Sequence, residues 1–521
     1  MSNKRKWIIF LLTLLCFCII SLFLDVDKVF ILVFAMWCIC FTYAVSDLKQ
    51  RSLFMAFLIA FFVFLIGGHF VYEYFGMEIK YYLGDEYYRH SNISLFISLL
   101  SIFVAYFVTS FLLNACKNKF TCTILSVSKP HERDTGILDK KIKTRNVSKA
   151  LFYVTYFFWM IVLIEKVVFV QTSSYLDYYI NFETRMPFAV NAIAAMCPYF
   201  LYLFLATFPR KSECRFPLIL YALYAGVSLF TGRRGNLVYM IFFIFVYIIL
   251  RHYVSRDNEK WITKKAVILL VTAIPIGLAF LYSYNYIRSG QEIAGDSFME
   301  MFLGFFQQQG FSSSLIRLGK YHQSALNDNA YYSFFGIVKW ARTNTVLKLI
   351  FNPQYDFSYL HNDVAFATKG NSFSNALSYI VLKNYLKGAG LGSCYIAELY
   401  HDFGYIGVVL GNFVYGIMMC MIGRIWSQTN RNVWLTALFF GIFESFIKAP
   451  RYYYDIVFQY ALDLGMWSSF ALVFGIVLLM STKQWQVILS KVSPRLEKWL
   501  GKYKKIFKHR DNKGSSKASR L

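Results

Sequence analysis

Apolar residues run along this chain in long blocks separated by short polar ones. Uncharged or nearly uncharged stretches of roughly 16–25 residues, the length that crosses a bilayer as a helix, recur twelve times. They lie near 7–24, 28–45, 52–70, 92–113, 150–170, 188–208, 216–230, 236–250, 266–284, 403–423, 433–448 and 456–480. The pattern predicts an all-α polytopic membrane protein with about twelve spanning helices. One connection breaks the rhythm. Residues 285–395, rich in Tyr, Phe, Asn and Ser, are too many for a structureless connector and are expected to fold partly as helices over one mouth of the bundle. Ser297–Phe306 and Val338–Leu349 carry helical rather than strand periodicity. The chain therefore divides into 1–284, with spans one to nine and a polar linker at 114–149; the large loop 285–395; 396–480, with spans ten to twelve; and a basic tail, 481–521.

Composition agrees with that division. Of 521 residues 57% are hydrophobic, 20% aromatic and only 16% charged, and a soluble domain is less apolar. The formal charge of +25 invites a nucleic-acid reading, but its distribution argues against one. Starting from Lys4-Arg5-Lys6 inside, the Lys/Arg-rich connections at 114–149, 209–215, 251–265 and 424–432 and the tail all fall on one side. That side holds 36 of the 54 Lys+Arg and 9 of the 29 Asp+Glu. The positive-inside rule then puts both termini in the cytoplasm and 285–395 outside. The excess charge is topology and contact with anionic lipid, and no nucleic-acid partner is expected. No small-residue cleavage site follows 7–24, so that run is expected to stay as a span. The ten cysteines show no CxxC or Cys/His spacing, and neither a metal site nor a disulfide framework is implied. No cofactor is expected.

Chemistry in such a chain is sought where polar groups break the lipid rules. The clearest break is Thr231-Gly232-Arg233-Arg234-Gly235-Asn236, on the outer side at the start of the eighth span. Unpaired N–H groups and the positive end of the helix dipole favour anions there. Two guanidiniums, which grip phosphate oxygens in bidentate fashion, would make this turn a diphosphate clamp, with Gly232 and Gly235 letting the backbone approach. The competing reading is headgroup snorkelling by one Arg and helix termination by the other. Arg288 and Arg451, each near a span end, are the further diphosphate candidates. Arg185, Arg317 and Lys448 read as ordinary outer charges, and Glu444, inside the eleventh span, has its local partner in Lys448 at i+4.

A second constellation is the glycine-rich turn Gly388-Ala389-Gly390-Leu391-Gly392 followed by Glu398, Tyr400, His401 and Asp402 at the mouth of the tenth span. Glu398, His401 and Asp402 share a helical face, and a carboxylate beside an imidazole there is a candidate proton acceptor. The alternative is an interfacial hydrogen-bonded cap. Gly407, Gly411 and Gly416 read as small residues at a helix contact. Asp25-Val26-Asp27 reads as a short acidic outer turn, and His69 and His90 as structural.

The turn Thr231–Asn236 and the segment Gly390–Gly416, in this order on a twelve-span chain with a large outer loop before the second, resemble the Wzy family of O-antigen and capsular polysaccharide polymerases. Where His401-Asp402 stands before Phe403-Gly404, the family pattern leads one to expect asparagine at the second position, a departure that bears on His401 more than on Glu398. The resemblance implies a membrane glycosyltransferase of the bacterial cytoplasmic membrane. It would join undecaprenyl-diphosphate-linked oligosaccharide repeat units on the outer face, with a chain-length regulator as a further partner. Within it, Arg233, Arg234, Arg288 and Arg451 would hold diphosphate, Glu398 and His401 would handle the proton, and Gly232, Gly235, Tyr400 and Asp402 would support them. An O-antigen ligase-like enzyme would use the same donor. A lipid-linked oligosaccharide flippase would want charged residues through the bundle and two pseudo-symmetric halves.

The topology is directly checkable. Reporter fusions are expected to place 114–149 and the C-terminus inside and 285–395 outside; a cytoplasmic Thr231–Asn236 turn would remove the clamp argument.

Overall fold

The computed structural model describes residues 13–15, 18–23, 26–115, 135–173, 177–254, 259–289, 297–343, 362–428 and 432–482. No strand occurs among the described residues, as lipid demands of a chain that must satisfy every backbone N–H and C=O internally. Its helices are α1 Lys28–Val45, α2 Leu48–Phe75, α3 Asp85–Ala115, α4 Thr135–Thr172, α5 Asp177–Asn181, α6 Phe188–Ala206, α7 Lys211–Ser228 and α8 Gly235–Val254. There follow α9 Lys264–Ser289, α10 Phe298–Gln309, α11 Ser312–Tyr321, α12 Phe335–Thr343, α13 Val364–Lys369 and α14 Phe373–Val381. The last four are α15 Tyr395–Ser427, α16 Val433–Lys448, α17 Ile456–Ala461 and α18 Leu464–Leu479. Among the described residues eleven segments are long and apolar enough to cross a membrane. They overlap the second to twelfth expected spans. Half of the first, 7–24, and nearly all of the tail lie outside the described residues.

The bundle is built around α2. Of its most apolar stretch 78% is buried, against 17% for α4, so α2 is the axis and α4 faces lipid. Leu53, Phe54, Phe57, Leu58 and Phe61 on α2 are fully buried, and Phe200–Ala206 on α6 and Tyr415 and Met419 on α15 join the same core. Glycines set two of the closest contacts. A Cβ at Gly416 would meet the Ile102 carbonyl at 2.6 Å and Ala105 at 2.7 Å, which brings α15 against α3. A Cβ at Gly310 would meet the backbone N of Gly68 at 2.4 Å, which seats the outer region on α2. Gly407 and Gly411 instead face the chain's own segment before Gly404: added Cβ atoms would meet the Leu399 carbonyl and side chain at 2.5 Å. The expectation of three helix–helix glycines thus holds for Gly416, while the other two accommodate a break within α15.

That break sits at Gly404, with φ +61° and ψ −155°, backbone that only glycine adopts readily. It separates a short segment, Tyr395–Phe403, at the expected outer end from the long segment that follows.

Polar groups sort to the two ends of the bundle. At one end Arg145 bonds Thr207 and Glu213, Arg251 bonds the Pro209 carbonyl at 2.8 Å, and Arg424 bonds Asn114. All of these fall in connections expected inside. The other end carries a buried chain of hydrogen bonds that overturns the reading of Arg317 as an ordinary loop charge. Arg317, fully buried on α11, donates to the Tyr81 carbonyl at 2.9 Å, to Ser314 Oγ at 2.7 Å and to His69 Nε2 at 2.6 Å. Arginine can only donate, so Nε2 accepts and Nδ1–H of His69 donates to Asn92 Oδ1 at 2.7 Å. Asn92 in turn donates to Asp27 Oδ1, which also caps α1 through the Phe30 N–H. Glu73 accepts from the Asp27 N–H and from the Tyr88 hydroxyl. His69 is structural, as read. Asp27 is more than an acidic turn, for it ties α1 to α2 and α3, while Asp25 lies outside the described residues.

Gly404→Ala is expected to cost roughly 1–3 kcal/mol, the usual cost of forcing a side chain into that backbone region. Gly475→Ala, on α18 with open space at its Cβ, is expected to be neutral or slightly stabilising. Thermal unfolding of the two variants in detergent measures the difference.

Candidate functional site

The glycine-rich turn before α15 leads into Tyr395–Phe403, and the three titratable groups there turn to two different neighbours. Glu398 is buried: Oε1 accepts from the Ser393 hydroxyl at 2.5 Å and Oε2 from the Tyr454 N–H at 2.8 Å. It thereby joins the start of α15 to the turn 449–455. Asp402 accepts from the Tyr332 N–H at 3.1 Å and the Ser333 N–H at 2.7 Å, and from the Ser333 hydroxyl at 2.5 Å. It caps the 3-10 turn that leads into α12, as an anion at a helix start should. His401 contacts Asp402 through Nδ1 at 3.1 Å and packs edge-on to Tyr332. Its Nε2 is buried with no hydrogen-bond partner in the protein. Tyr400 lies against His90 and Tyr405, and His90 bonds the Tyr405 hydroxyl at 2.8 Å.

A third carboxylate went unremarked in the sequence. Asp455, just before α17, accepts from the Gly336 N–H at 2.8 Å and the Ile337 N–H at 2.6 Å, which fixes the N-terminus of α12. Burial pushes its carboxyl up to about 6, against the pull of those two N–H groups. The signal was present as an acidic residue between two spans, but its partners lie more than a hundred residues away.

The arginine turn is shaped as expected. Gly232 closes the 3-10 turn Leu229–Thr231 with φ +77°, and α8 begins at Gly235. The two guanidiniums diverge. Arg233 is exposed and lies 4.7 Å from the Tyr178 ring centroid on α5. Arg234 is half-buried and bonds the Leu281 carbonyl on α9, while Tyr284 of α9 bonds the Leu229 carbonyl, so the turn is fastened onto α9 from both sides. Arg451, in the turn after α16, bonds Gln309 of α10 at 2.6 Å and lies over Phe64. Arg288 falls on the last turn of α9, and its side chain lies outside the described residues.

What unites these positions is Tyr239, one turn into α8. Its ring packs on Gly235, where an added Cβ would meet it at 3.0 Å, and the Lys448 ammonium lies 4.8 Å from its centroid. Tyr239 is also within electrostatic reach of Arg451. Val238 packs with Leu281, Tyr282 and Phe305, which draws α9 and α10 to the same place. The turn bearing Arg233 and Arg234, the end of α9 that carries Arg288, and the turn bearing Lys448 and Arg451 therefore surround one region of the end opposite the Arg145–Glu213 links. Turns from two separated stretches of sequence thus bring Arg233, Arg234, Lys448 and Arg451 to this region, and a multiply charged anion is what such a set of cations can hold.

No curated protein and no solved structure matches the chain. A family model does: that of the O-antigen polysaccharide polymerase Wzy, over residues 6–484, nearly the whole chain. That match does not favour the ligase-like and flippase alternatives, and the chain belongs to the Wzy family of membrane polymerases that join lipid-linked O-antigen repeat units.

Proposed function

We propose that the chain draws its repeat units from undecaprenyl diphosphate and works on the outer face of the bacterial cytoplasmic membrane, with a chain-length regulator as partner. A hydroxyl of the incoming unit attacks the anomeric carbon at the reducing end of the growing chain, and undecaprenyl diphosphate leaves. The observation that carries this reading is the gathering of the Arg233-Arg234 turn, Lys448 and Arg451 about Tyr239. Negative charge on the diphosphate grows as the glycosidic bond to it breaks. Guanidiniums positioned beforehand favour that change without reorganising. Arg234 and Arg451, each anchored by a hydrogen bond to the protein, are preorganised in this sense; Arg233 is exposed, with its guanidinium over the Tyr178 ring, and Arg288 completes the set.

Glu398 and Asp402 take a different part in this reading. Both are filled with hydrogen bonds from the protein, and a base must offer a lone pair to the substrate hydroxyl. We assign them to holding the outer helices and the Arg451 turn in place. Glu398 acts on the arginine through the Tyr454 N–H, and Tyr400 and His401 pack behind.

Two predictions separate these roles. Arg234→Ala and Arg451→Ala are each expected to lower polymer formation about a hundredfold or more, the scale for loss of one preorganised donor, at unchanged protein level in the membrane. Arg→Lys is expected to rescue poorly, because a point charge lacks the fork. The assay is polymer against single repeat units on lipid carrier in isolated membranes, and normal polymer from the alanine variants would remove the clamp. For Glu398, glutamine retains one oxygen for the Tyr454 N–H and an amide for Ser393. Glu398→Gln is therefore expected to stay within a few-fold of normal turnover, while Glu398→Ala loses roughly 1–3 kcal/mol of stability by leaving a buried N–H unpaired. A folded but inactive glutamine variant would return Glu398 to the chemistry.

A further inference from the structure

Glu444 lies on α16 about 10 Å below Arg451, at ~1.5 Å per helical residue, inside a spanning helix. It pairs with Lys448, and the two side chains keep 28% and 27% exposure. The pair is intrahelical, so the ion-pair contact itself joins no two elements, and what it gains beyond its own helix is the Lys448 ammonium over the Tyr239 ring of α8. An ion pair retained on those terms inside a membrane points to function rather than packing.

Four tyrosines surround it. Tyr202 of α6, Tyr221 and Tyr224 of α7 and Tyr460 of α17 are all within electrostatic reach of the carboxylate. The Tyr460 ring sits on Gly441, where an added Cβ would meet it at 2.0 Å. Gly441 is one turn from Glu444 on the same face of α16. The Tyr460 hydroxyl is buried there with no hydrogen-bond partner among the described residues. On the other side Lys448 lies over Tyr239, whose ring rests on Gly235 of the arginine turn. The carboxylate is thus linked through Lys448 and Tyr239 to the turn that carries Arg233 and Arg234. Unlike Glu398, it has an oxygen, Oε2, that no donor among the described residues occupies, while Oε1 takes the Lys448 ammonium.

We propose that Glu444 is the catalytic proton acceptor of the polymerisation, an inference that rests on the diphosphate-donor reading above. In the step the attacking hydroxyl oxygen bonds to the anomeric carbon as its proton passes to Glu444. The bond from that carbon to the diphosphate oxygen breaks, with its electron pair leaving on undecaprenyl diphosphate. Protonation of Glu444 removes the charge that balances Lys448, so the ammonium becomes a further cation facing the leaving group as its charge rises. Proton uptake and leaving-group stabilisation are coupled through one side-chain pair.

The test uses the full-length protein in proteoliposomes supplied with repeat units on undecaprenyl diphosphate. Glu444→Gln keeps an acceptor for the Lys448 ammonium. It is expected to bind undecaprenyl diphosphate within about threefold of the parent and to unfold at the same temperature, with turnover lower by roughly two to four orders of magnitude. Glu444→Asp keeps the charge pair but withdraws the carboxylate by a methylene, and is expected to lose about ten- to a hundredfold. Near-normal turnover in either variant overturns the proposal. So does a glutamine variant whose turnover, lipid binding and unfolding temperature fall together, since that describes a structural pair. If the glutamine variant does not accumulate, the aspartate variant decides alone. Failure of the unaltered protein to elongate this substrate would instead refute the diphosphate-donor reading.

Discussion

A carboxylate that accepts two or more hydrogen bonds from the chain is a joint, and three of them hold together the end of the molecule that carries the arginine turn. Asp402 and Asp455 hold the 3-10 turn before α12 and the first residues of α12 itself, and Glu398 holds the turn 449–455 to the start of α15. Charge-assisted bonds of this kind are worth about 1.5–3 kcal/mol each. They also satisfy helix-start N–H groups that would otherwise lie unpaired against apolar surface. Asp455 follows Tyr454 directly, so one short turn is gripped by Glu398 on its backbone and grips α12 with its side chain. The position of Arg451 in that turn follows from both bonds.

The bundle beneath supplies the complement. Arg233 and Arg234 reach that end because a left-handed glycine closes the 3-10 turn after α7 and lets α8 begin three residues later, and α9 locks that turn through Leu281 and Tyr284. Rigid helices thus deliver cations from one part of the chain, and carboxylate-held turns deliver them from another. Catalysis by electrostatic preorganisation asks for this division, since the charges must be in place before the reaction needs them.

The spans were legible because lipid imposes a rule on composition itself: every run from 28–45 onward that lacked charge over the required length is a helix here. Helices in the large outer loop were legible from periodicity, and Ser297–Phe306 corresponds to α10. The arginine turn was legible because arginine there breaks the charge rule. What sequence could not show was the pairing of residues far apart. Arg317 looked like a loop charge because its partner His69 stands 248 positions away. Glu398, His401 and Asp402 looked like one stacked face because their spacing says so. The partners that draw them apart, Tyr454 and Tyr332, come from other elements, and the break at Gly404 appears in sequence only as one more glycine.

That break sets how the protein meets membranes of different thickness. An unbroken helix of 33 residues would be about 50 Å long, far beyond the ~30 Å hydrocarbon layer, and would have to tilt as a single rod. With the joint at Gly404 the part within lipid is about 23 residues, or roughly 35 Å, close to the bilayer it must match. A bilayer therefore has only the shaft to match, while the short segment before the joint stays bonded to Tyr332 and Tyr454 and, across the joint, through the Tyr395 hydroxyl to Asn412 Oδ1 at 2.7 Å.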